Sequence, residues 1–108
     1  NNNNARKNLD IIEIMRDIRD FAHAGGYKDG YEFLLINHVL LDSIKRLQVQ
    51  ESEDKKEVIA KLRAYVKESI PRLSECESFK RETGNRRMIM TLNYYGLEAL
   101  AIAILKIK

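Results

Sequence analysis

Apolar residues recur at helical spacing along most of this chain. Leu9, Ile12, Met15, Ile18 and Ala22 step by three and four, and Ile11, Ile14 and Phe21 widen the stripe. Asp10 and Glu13 fall in the first turns, where a helix N-terminus favours negative charge. Gly25-Gly26 supplies a left-handed stop. The pattern predicts a helix over about 8–24. A second stretch, about 29–50, is apolar around most of its circumference, from Tyr31, Phe33 and Leu34 through Val39, Leu40 and Leu41 to Ile44 and Leu47. Such a helix belongs at the centre, contacted by two or more others. A third, about 52–70, has Ser52 as its N-cap and one narrow stripe of Val58, Ile59, Leu62, Tyr65, Val66 and Ile70. Pro71 ends it, because the residue before proline is pushed out of the helical region. A fourth, about 84–107, takes its apolar faces from Met88, Ile89, Leu92, Tyr95, Leu97, Leu100, Ala101, Ile104 and Leu105. Gly96 in its middle predicts a close packing contact or a kink.

Between Pro71 and Gly84 the periodicity lapses, with a short helical turn expected around Ser78–Arg81. No β-hairpin signal and no internal repeat is present. Together these readings predict an all-α, four-helix bundle-like domain over 8–108, preceded by a disordered tail over 1–7 that opens Asn1-Asn2-Asn3-Asn4. The chain opens without Met, which leads to the expectation of a segment cut from a longer protein.

Composition narrows the function classes. With 44% hydrophobic and 32% charged residues, one Pro and five Gly in 108, the chain is neither low-complexity nor globally disordered. One Cys excludes an internal disulfide framework and a multi-Cys metal site, and two His exclude a His-rich metal cage. The longest clean apolar run, Ala99 to Leu105, is far shorter than the roughly 20 residues a membrane span needs. The net charge of +3 is unevenly spread: the chain is slightly acidic through Glu77 and basic from Ser78 onward. That basic end carries the best candidate site. Lys80, Arg81, Arg86 and Arg87 gather at the start of the last helix, whose free N–H groups also attract an anion, an anionic membrane or an acidic neighbouring domain. No aromatic residue interleaves them, so nucleic acid is not expected as a partner.

Other chemistry is sparse. His23 sits at the end of the first helix and His38 within the second, both read as structural or surface residues. Cys76 lies between Glu75 and Glu77, whose charges disfavour a thiolate. Glu51 and Glu53 flank Ser52 as helix-capping acids. The run from Gly25 to Gly30 is glycine-rich but lacks a phosphate-loop ending and is read as a tight helix–helix turn. No catalytic residue, cofactor-binding residue or metal ligand is expected.

Several runs follow in a recognisable order. Tyr27-Lys28-Asp29-Gly30-Tyr31-Glu32-Phe33 leads into Ile36-Asn37-His38-Val39-Leu40-Leu41 and Ile44-Lys45-Arg46-Leu47. Tyr65-Val66-Lys67-Glu68, Ile70-Pro71-Arg72-Leu73 and Asn93-Tyr94-Tyr95-Gly96-Leu97 complete the pattern. From about Leu9 to Lys108 this resembles the helical C-terminal region of bacterial family 2 glycosyltransferases, the enzymes of capsular and exopolysaccharide biosynthesis. Where that family often places Asn before an aromatic residue beyond the proline, this chain has Cys76 and Phe79. The family's catalysis resides in an N-terminal nucleotide-sugar-binding α/β domain with a metal-holding Asp-x-Asp motif, and this chain contains no Asp-x-Asp. The resemblance therefore implies an accessory domain, not catalytic by itself and without a cofactor of its own. Its implied partner is its own N-terminal catalytic domain, and its implied place is the cytoplasm, peripheral at the inner membrane face. A second reading is a stand-alone helical interaction module or homodimer, drawn from the excess apolar surface of the second and fourth helices.

Overall fold

The structure, a computed structural model, describes residues 5–107, with side chains through residue 104. The described residues are all-α and contain no strand. A 3₁₀ segment, Ala5–Leu9, leads into α1 (Asp10–Gly25). Helix α2 is one long rod in three registers: α-helical Lys28–Leu34, π-helical Leu35–Ser43, and α-helical Ile44–Val49. Helix α3 (Lys55–Ser69) is followed by a 3₁₀ turn (Leu73–Glu75) and the short α4 (Glu77–Lys80). Helices α5 (Gly84–Tyr94) and α6 (Glu98–Ile107) complete the chain.

Helix α2 is central for the reason its sequence gives. Leu35, Ile36, Val39, Leu40, Ile44 and Leu47 are wholly buried. Every other helix touches it. The molecule is a slab of 39 × 33 × 18 Å, and 18 Å is about two helices deep. Helix α3 lays its predicted stripe on this core, with Val58, Ile59, Leu62, Tyr65, Val66 and Ile70 all buried. Within the π segment the Ser43 hydroxyl donates to the His38 carbonyl at 2.8 Å, and Ile44 N–H reaches back to the Val39 carbonyl. The wider turn puts seven of nine consecutive residues, Asn37 and Ser43 among them, out of solvent.

Two glycines close helices by the same device. Gly26 (φ +81°) and Gly96 (φ +81°) are left-handed. Tyr27 N–H then bonds the Ala22 carbonyl at 2.7 Å, and Leu97 N–H bonds the Leu92 carbonyl at 2.7 Å. This arrangement satisfies the last carbonyls of α1 and α5.

Four expectations change. Residues 1–4 of the expected disordered tail lie outside the described residues. From Ala5 the chain is ordered: Ala5 is buried, and Arg6 pairs with Glu57 and Asp54 at the start of α3. No periodicity announced this, because a 3₁₀ turn with one buried methyl has none. The third helix starts at Lys55, and Ser52 instead accepts the Asp54 N–H at 3.3 Å in the turn before it. The fourth helix is two helices, since Gly96 ends α5 outright, and the count among the described residues is six. Its buried face is also different. Ile89, Met90, Asn93 and Tyr94 face the core of α5, whereas Met88, Tyr95, Leu97 and Leu100 are exposed. Asn93 and Tyr94 tolerate burial because their polar atoms are bonded: Asn93 Nδ2 donates to the Leu40 carbonyl at 2.9 Å and the Tyr94 hydroxyl to the Ile70 carbonyl at 2.6 Å.

Candidate functional site

The four predicted basic residues come together around the α4–α5 connection, and three of them are engaged by neighbouring groups of the protein. Lys80 Nζ donates to Glu77 at 2.9 Å. Arg86 Nε donates to Glu82 at 3.1 Å, and its terminal nitrogen donates to the buried Asn37 side chain on α2. Arg87 lies 4.4 Å over the Phe79 ring and donates to the Phe79 and Glu82 carbonyls at 3.0 and 3.3 Å. The Arg81 side chain makes no hydrogen bond or ion pair among the described residues; with Lys80 it holds the Glu77 carboxyl below the usual carboxylate range, the Lys80 hydrogen bond being the larger cause. Three of the four cations thus staple a loop to α2 and to itself. Arg81 is left as the open charge.

Beside this loop a cleft of about 210 Å³ is lined by Lys28, Glu32, Ile70, Pro71, Arg72, Glu75 and Cys76. Glu32 is buried, with Lys28 Nζ 3.8 Å away. Burial pushes the Cys76 thiol up, and the Glu32 carboxylate adds to that. The sequence reading reached a disfavoured thiolate through Glu75 and Glu77. The structure assigns the effect first to burial and then to Glu32, more than forty positions away in the chain. A thiol so placed is a weak nucleophile. Among the described residues no three His, Cys, Asp or Glu side chains gather as a metal site.

The polar groups that tie the helices together were not singled out by sequence. The Tyr31 and Tyr65 hydroxyls are 2.6 Å apart, and Ser69 Oγ is 3.1 Å from the Tyr31 hydroxyl. Burial keeps the Tyr31 phenol protonated far above its ordinary range. Arg63 donates to the Asn93 carbonyl at 2.9 Å and pairs with Glu98, so α3 grips the α5–α6 corner. The only available signal was a tyrosine standing at an apolar stripe position, where a buried ring needs a partner for its hydroxyl. His23 and His38 are both exposed, His23 edge-on to the Tyr31 ring at 5.9 Å.

Comparison with protein families, curated proteins and solved structures finds no match for this chain. No helix among the described residues is long and apolar enough to cross a membrane.

Proposed function

We propose that this chain is the all-α accessory domain of a bacterial family 2 glycosyltransferase, an enzyme transferring sugars from nucleotide-sugar donors in cell-surface polysaccharide biosynthesis. One observation carries the reading. Half of the residues on which the resemblance rests are interior, Tyr31, Ile36, Val39, Leu40, Tyr65, Ile70, Asn93 and Tyr94 among them. That half of the shared pattern is scaffold, which suits a domain that supports a catalytic partner rather than one that reacts. In this reading the partner is the enzyme's own N-terminal α/β domain, and the place is the cytoplasm at the inner membrane face.

The reading frame upstream of Asn1 tests this directly. Some two hundred or more codons of alternating strands and helices with an Asp-x-Asp motif are the expected result, on the usual size of one domain. Sugar transfer should then require both parts. A start codon immediately upstream, or turnover of a nucleotide sugar by this chain alone, overturns it.

Phe21, 75% exposed on α1, supports a second reading as a helical interaction or dimerisation module. Sedimentation velocity separates the two, since that module associates in a concentration-dependent way and Phe21→Ser weakens the association.

A further inference from the structure

The corner between α5 and α6 leaves an apolar ridge in solvent. Tyr95 is 60% exposed, and Leu97 and Leu100 are each 50% exposed. Ala99 and Ala103 are exposed on the same side of α6. Hydrophobicity alone does not name the occupant of such a ridge; its charges do. Glu98 is the only carboxylate in the chain beyond Glu82. It is turned inward onto Arg63, with 19% of its side chain exposed, so it adds no open negative charge to the ridge. Cations flank the corner. Lys67 on α3 sits 5.1 and 5.6 Å over the Tyr94 and Tyr95 rings, and Lys45 on α2 lines the seam with Glu98, Ala101 and Ile102. Neither lysine makes an ion pair among the described residues.

We propose that the α5–α6 corner docks on an anionic phospholipid surface, with Leu97 and Leu100 entering the acyl boundary and Lys45 and Lys67 meeting lipid phosphates. A short helix with one apolar exposed face lies in the plane of the interface rather than across it. The Tyr95 ring suits headgroup level, where one end of the ring is apolar and the other wet. The lysine stems lie along apolar surface while their ammonium groups reach the phosphates. The contact belongs to this corner and not to Lys80, Arg86 and Arg87, which are already engaged by Glu77, Glu82, Asn37 and Phe79.

Vesicle flotation of this chain tests the proposal. Vesicles of phosphatidylcholine alone are compared with vesicles containing phosphatidylglycerol, at low and high salt. The chain should float with the anionic vesicles and release as salt rises. Leu97→Glu with Leu100→Glu should lower the partition by about tenfold or more. Both positions are half exposed, so an unchanged far-UV circular dichroism spectrum is expected for the double variant. Lys45→Glu with Lys67→Glu should abolish the preference for phosphatidylglycerol. No binding to anionic vesicles overturns the proposal, as does full binding by the leucine double variant. Self-association that the same leucine variant abolishes, without vesicle binding, would assign the ridge to a second copy of the chain and likewise overturn it. Because the assay uses this chain alone, its failure leaves the sugar-transfer reading standing, and failure of that reading leaves the membrane contact standing.

Discussion

Tyr31 concentrates the chemistry of the interior at a single residue. Its ring is buried, and its hydroxyl shares short hydrogen bonds with Tyr65 and Ser69. Burial is the main reason it stays protonated when folded, while the Ser69 bond pulls the other way. The Tyr94 phenol and the Cys76 thiol are shifted upward for the same first reason. In the unfolded chain these groups ionise near their ordinary values of 10.0 for tyrosine and 9.0 for cysteine. Above those values the unfolded state releases protons that the folded state keeps, so stability falls as pH rises. The contribution is complete below about pH 9 and is lost progressively on the alkaline side. Urea unfolding midpoints should therefore drop between neutral and strongly alkaline buffer. Tyr31→Phe should flatten part of that decline. It should also lower stability at neutral pH by about 1 kcal/mol, because the Tyr65 hydroxyl loses its partner.

Among the elements, the glycines behave differently according to where each sits. Gly96 is left-handed at the end of α5, so Gly96→Ala should destabilise by about 1 kcal/mol and loosen the α5–α6 corner. Gly30 lies in the first turns of α2 with open space where a Cβ would stand. Gly30→Ala should stabilise by about 0.5–1 kcal/mol. Denaturant midpoints with unchanged slopes check both. The same contrast explains what sequence revealed. Narrow stripes and glycine or proline stops were legible, so α1, α3 and their C-terminal ends came through, whereas the start of α3 did not. The π segment was not, because a helix apolar all round gives periodicity nothing to report. The buried face of α5 was missed because Asn93 and Tyr94 are polar by type, and only their distant acceptors, the Leu40 and Ile70 carbonyls, make their burial acceptable. The basic cluster was visible as charges, but the anchoring of Arg86 on Asn37 and of Arg87 over Phe79 depends on the fold.

Over the whole molecule, one rod packs against every other helix. Helix α2 touches all the others, so no subset of helices can separate without uncovering part of it. Hydrogen exchange should accordingly be slowest in α2 and the facing turns of α3, opening only with global unfolding, while α6 exchanges through local fraying. The central position also has a consequence for biosynthesis. Translation delivers α2 early, whereas α5, which covers part of it and donates to the Leu40 carbonyl through Asn93, is made about forty residues later. Until then the nascent chain carries an oily rod with only part of its sheath. A ribosome stalled before Gly84 would present that rod to other polypeptides, making the interval between those two helices the one in which a holdase chaperone matters most.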